Sequence, residues 1–71
     1  MKSSENSKIS ATNRRSKITE LLRKNQEVSI PDLARLFDAS EMTLRRDLDL
    51  LAEQGLVRRT HGGASAAERM E

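Results

Sequence analysis

The chain contains no cysteine, tryptophan or tyrosine, and only one phenylalanine and one histidine. Without cysteine there is neither a disulfide framework nor a thiolate metal site, and a single histidine is too few for a multi-histidine site. No run approaches the roughly 18 apolar residues that a membrane-spanning helix requires. The start, Met1-Lys2-Ser3-Ser4-Glu5, leads into more polar residues and not into the apolar stretch of a secretion signal. A soluble, cytoplasmic chain with no membrane partner is the expectation. Its 71 residues leave room for one small domain. A domain of that size buries only about 60% of its chain surface, so modest stability is expected.

Leu, Ile, Val and Phe are also scarce, 15 of 71 residues, but they are concentrated. Residues 12–63 hold 14 of them, whereas the opening MKSSENSKISA holds only Ile9. This divides the chain into a flexible tail over 1–11, a folded domain over 12–64 and a linker stub over 65–71. The net charge of +2 is unevenly placed: residues 12–24 carry +4, residues 27–41 carry −3, and residues 42–63 carry +1 with their arginines in two adjacent pairs. Basic segments of this kind suit a polyanion partner. A solvated helix face would look the same.

Three helices are predicted. The first runs from Thr12 or Asn13 to Lys24, with Ile18, Leu21 and Leu22 on one face and Arg23 and Lys24 where a helix C-terminus favours cations. Glu27-Val28-Ser29-Ile30 alternates polar and apolar, an extended piece with Val28 and Ile30 pointing inward. The second helix follows, with Ser29 and Asp32 in a capping-box spacing and Pro31 in the first turn. Leu33, Ala34, Leu36 and Phe37 would form its buried face. After the break Asp38-Ala39-Ser40, Ser40 caps a third helix in which Leu44, Leu48 and Leu51 fall at i, i+4 and i+7. Gly55 suits a left-handed stop. Two helices joined by a three-residue turn form a helix-turn-helix pattern. Leu56 to Thr60 is β-prone and His61-Gly62-Gly63 is a turn signal, so a hairpin, or wing, is expected next. Ala64 to Glu71 could supply its return strand or a helical linker. The fold class is mostly α with a small β-hairpin, a three-helix winged helix-turn-helix.

On the third helix, at about 100° per residue, Leu48 and Leu51 lie within about 40° of Leu44. Met42, Thr43, Arg45 and Arg46 are then presented outward over almost two turns. An arginine there can donate two bonds to a guanine edge or clamp a phosphate, threonine can reach either, and Met42 can pack on a thymine methyl. The bland reading is a charged outer face that Asp47 and Asp49 partly neutralise. In the wing, Arg58, Arg59, Thr60 and His61 precede two glycines. These either let the backbone approach a phosphate or simply make a tight turn. His61 alone is more often a surface hydrogen-bonding group than a ligand. Nothing near it resembles a nucleophile's motif, so neither an enzyme nor a bound cofactor or metal is expected. Leu50 fits no core stripe; it either packs under the wing or contacts another chain.

The strings SEMTLRRDL (Ser40 to Leu48) and GLVRRTHGGA (Gly55 to Ala64) closely resemble the signature of the DeoR family of bacterial transcription regulators. The similarity covers about residues 14–64, including Arg14-Arg15-x-x-Ile18, Asp32-Leu33-Ala34 and Leu36-Phe37. It implies a domain that binds double-stranded operator DNA, with the third helix in the major groove and the wing beside it. Most such proteins repress sugar or nucleoside catabolism operons. The resemblance further implies that Ser40 and Thr43 anchor the helix while Arg45 and Arg46 meet bases or phosphates. Arg58, Arg59, Thr60 and the His61-Gly62-Gly63 turn would meet the backbone or minor groove, and Arg14 and Arg15 would add phosphate contacts. Asp47 is assigned to an internal salt bridge that orients an arginine. Members of the family are usually over three times longer, with a domain that senses a sugar phosphate and forms homo-oligomers. The chain is therefore expected to be a DNA-binding part lacking that domain. Two other readings stand beside it: a protein-docking winged helix using Leu50 and the wing, and an RNA-binding one. The scarcity of aromatics for base stacking disfavours the latter.

Overall fold

The computed structural model describes residues 10–67. Its first helix, α1, spans Ala11–Asn25. Ser10 is its cap, the hydroxyl accepting from the Asn13 N–H at 3.2 Å, so the helix begins slightly earlier than its apolar spacing indicated. At the far end Gln26 turns left-handed (φ 71°) and donates its N–H to the Leu22 carbonyl. Residues 1–9 of the expected tail, and most of the stub from 68 onward, lie outside the described residues.

The alternation seen over Glu27–Ser29 becomes a strand, β1, and Ile30–Phe37 becomes α2. The Ser29 hydroxyl accepts from the Asp32 N–H at 3.3 Å. Only that half of the expected capping box forms, because the Asp32 carboxylate accepts from Arg35 instead. Asp38 ends α2 with a left-handed φ of 55°. Helix α3 then spans Glu41–Glu53, and its end is a Schellman motif: Leu56 N–H reaches Leu51 O and Gly55 N–H reaches Ala52 O, with Gly55 at φ 78°.

The expected hairpin is present as β2, Val57–Thr60, and β3, Gly63–Ala66. It is not a free appendage. All pairing is antiparallel in the order β1-β3-β2, with Val28 opposite Ala64 and Arg59 also opposite Ala64 on the other edge. The Ile30 N–H donates to Gly62 O and the Ala66 N–H to Gln26 O, which bolts the wing to the segment between α1 and α2. The fold therefore has three helices and a three-stranded sheet, where the sequence had indicated a two-stranded hairpin.

The core comprises Ile18 and Leu22 of α1, Ile30 and Leu33 of α2, Leu44, Leu48 and Leu51 of α3, and Val57 and Ala64 of the sheet. Phe37 is half-buried at its margin. Leu36 corrects an expectation: it is 61% exposed. Ile30, Leu33 and Phe37 define the inward stripe of α2, and Leu36 lies about 100° from its centre. Of the two places left open for Leu50, the helical wheel favours one off the wing. Asp49 pairs with Arg59 of β2 and so marks the wing side of α3, whereas Asp47 pairs with α1. Leu50 lies about 60° beyond Asp47, away from the wing, and is half-buried there.

Candidate nucleic-acid interface

The N-terminal half of α3 is built to present side chains outward. Ser40 Oγ accepts from the Thr43 N–H at 3.1 Å, and the two hydroxyls lie 3.0 Å apart in a hydrogen bond of their own. This ties down the first turn. Met42 is 64% exposed, so its side chain is accessible at the surface. Arg45 and Arg46 are exposed, and among the described residues neither has a hydrogen-bond or ion-pair partner.

What aims them is buried on the opposite flank of the helix. The Asp47 side chain is only 4% exposed and receives donors from two arginines of α1. Arg14 binds it in a fork, Nε to Oδ2 and Nη2 to Oδ1 (3.2 Å), and Arg15 Nη1 reaches Oδ1 at 3.1 Å. A buried carboxylate is tolerable only when its lone pairs are satisfied this fully. The cluster fixes the rotation of α3 against α1. It also redirects an expectation: Arg14, foreseen as a phosphate contact, is turned inward and committed to Asp47. Arg15, half-buried, lends one nitrogen to Asp47, and its side chain stays 27% exposed.

The wing divides its residues similarly. Strand alternation puts Arg59 on the face of buried Val57, and Arg58 on the opposite, solvent face. Arg59 donates through Nε to Gly63 O at 3.1 Å and through Nη1 to Asp49 on α3. In this arrangement Arg59 braces the wing against α3. Thr60 is half-buried, and His61 and Gly62 form the exposed tip, with Gly62 at φ 87°. Gly63 is buried, because a Cβ there would lie 2.0 Å from Val28 O. Its missing side chain therefore serves the β1–β3 contact. Glu27 and Asp32 border the cleft beside the tip, so that side of the wing is unsuited to phosphates.

On α3 the outward residues are Met42, Arg45 and Arg46, with Ser40 and Thr43 in the first turn. Arg58, Thr60 and His61 extend along the wing. Sequence reasoning gave Asp49 only a neutralising part; its bond to Arg59, ten positions along the chain, makes it the link between helix and wing. No local pattern signals such a pairing. Among the described residues no helix is long and apolar enough to cross a membrane.

Three helices, a short turn before the outward-facing third, and an attached β-hairpin define a winged helix-turn-helix domain. Residues 14–70 match the DeoR-like helix-turn-helix domain, and the chain belongs to that family of DNA-binding transcription-regulator domains. It is 53% identical over 55 residues to the transcriptional repressor AccR of Agrobacterium fabrum, a match covering 78% of this chain and 21% of that protein. It is 43% identical over 51 residues to the HTH-type transcriptional regulator GolR of Listeria innocua, covering 72% and 20%. A putative galactitol utilization operon repressor of Escherichia coli is 48% identical over 52 residues, covering 73% and 46%. The matched stretch thus spans a fifth to just under half of these relatives. No solved structure matches the chain significantly.

Proposed function

We propose that this domain binds an operator in double-stranded DNA sequence-specifically and represses a sugar, polyol or nucleoside catabolism operon. The observation that carries the reading is the pair Arg45 and Arg46. They are exposed and unpaired among the described residues, on a helix whose rotation is fixed by a buried carboxylate. A helix held in this way offers the major groove a constant set of donors. Arg45 and Arg46 take base edges or phosphates, Met42 a thymine methyl, and Ser40 and Thr43 the adjoining backbone. Arg58, Thr60, His61 and Gly62 meet the flanking backbone or minor groove, and the exposed part of Arg15 adds a phosphate contact. Arg14, Arg59 and Gly63 hold those groups in place.

The operon class is supported by relatives named for galactitol, glycerol-3-phosphate and lactose phosphotransferase regulation. A sugar-phosphate effector and homo-oligomer contacts are proposed for the regions of the regulator that lie beyond the stretch matched in those relatives. The test is selection of bound sequences from a random duplex pool, followed by titration of the enriched duplex, a scrambled duplex and an RNA hairpin. The enriched duplex should bind tightest. Absence of binding to either DNA at low salt sinks the reading, and preference for the hairpin replaces it with an RNA-binding one.

A further inference from the structure

Helix α3 carries three exposed carboxylates, Glu41, Asp49 and Glu53, and one of them is tied to the wing. Asp49 is 67% exposed and stands four positions after Arg45, on the same helical face, yet its partner is Arg59 of the wing. An ion pair this exposed contributes little to stability, so the fold does not require it. Its position has two consequences at a DNA-binding surface. It occupies the guanidinium of Arg59, which is otherwise within reach of a phosphate, and it places a negative charge where a polyanion approaches.

We propose that Asp49 is a specificity-determining residue of the interface: by holding Arg59 it withholds one phosphate contact and fixes the wing against α3. The inference rests on the DNA-binding reading above. Phosphate contacts carry little sequence information and supply most non-specific attraction. Withholding one lowers affinity for every duplex. Because Arg59 is anchored at both Gly63 O and Asp49, the same bond biases the backbone-paired wing toward the reading helix, which only a matched site rewards. Asp49 therefore favours the matched site over the rest.

Asp49→Asn keeps the size and an acceptor but removes the charge that retains Arg59. Binding of the wild-type and variant domains to the pool-enriched duplex and to a scrambled duplex of equal composition is measured across salt concentrations. The scrambled duplex should bind the variant more tightly, with a log–log salt slope steeper by about 0.9. The enriched duplex should gain less or lose affinity, so the ratio of the two falls. In an Arg59→Ala background the substitution should no longer steepen the slope. Equal changes on both duplexes, or an unchanged slope, overturn the proposal. So does a loss confined to one base pair of the enriched duplex, since the carboxylate would then be reading a cytosine itself. Failure of the wild-type domain to bind any duplex removes the DNA reading; normal wild-type binding with an unaltered ratio removes only this inference.

Discussion

An added Cβ at Gly63 would sit 2.0 Å from Val28 O and 2.9 Å from Ser29 Cα, both backbone atoms that no rotamer change can move. At Gly62 the same Cβ meets nothing within 4 Å, and the obstacle is only its φ of 87°. Gly63→Ala should therefore push β1 off β3 and destabilise the domain by about 3 kcal/mol or more. Gly62→Ala should cost about 1–2 kcal/mol, the strain of a left-handed conformation. Urea denaturation of both variants checks the order. The two aspartates of α3 offer a parallel contrast. Removing Asp47 leaves the largely buried Arg14 facing no counter-charge, so Asp47→Ala should cost about 3–5 kcal/mol. Asp49→Ala should stay within about 1 kcal/mol of wild type, because its pair with Arg59 is exposed. Equal losses at the two positions would contradict the burial difference on which both assignments depend.

Elements depend on ends as much as on faces. The Ser40 hydroxyl answers the Thr43 N–H, so Ser40→Ala should destabilise α3 by about 1 kcal/mol, while Ser40→Gly should cost only a few tenths. Thermal denaturation of the two variants separates the cap from any DNA contact Ser40 makes. Such local devices were legible in the sequence: the Ser29 and Ser40 caps, Pro31, the Gly55 stop, and the Leu44, Leu48 and Leu51 stripe all carry their signal within a few residues. Ser10 was missed because no apolar stripe reaches it. Leu36 was misplaced because a helix of eight residues has too few turns to show which edge of an apolar face is wet. The third strand was invisible for a different reason. Val28 and Ala64 meet across about half the length of the chain, and the alternation around Val28 indicates extension without naming a partner. The candidate site divides in the same way. Helical spacing alone put Arg45 and Arg46 outside, but Arg14 and Arg59 find their carboxylates through pairings that no local pattern announces.

For the whole molecule, those internal pairings set how strongly salt should weaken DNA binding. Six arginines, Arg14, Arg15, Arg45, Arg46, Arg58 and Arg59, lie in the regions assigned to the interface. If all six neutralised phosphates, the log–log slope would approach about −5, at roughly −0.9 per contact. Two of them already face carboxylates of the domain, Arg14 the buried Asp47 and Arg59 the exposed Asp49. An arginine facing its own carboxylate displaces no counterion from DNA. That leaves Arg15, Arg45, Arg46 and Arg58, and a slope no steeper than about −4. An arginine devoted to a base edge contributes less, so the slope becomes shallower as reading replaces holding. Substituting Arg45 and Arg46 singly by alanine then sorts them. The base reader should lose about 1–3 kcal/mol on the enriched duplex and relax one base pair, while the phosphate holder should weaken all duplexes alike and reduce the slope by about 1. A wild-type slope near −5 would mean that Arg14 and Arg59 abandon their carboxylates for phosphates. The rotation of α3 would then be set by the DNA and not by Asp47.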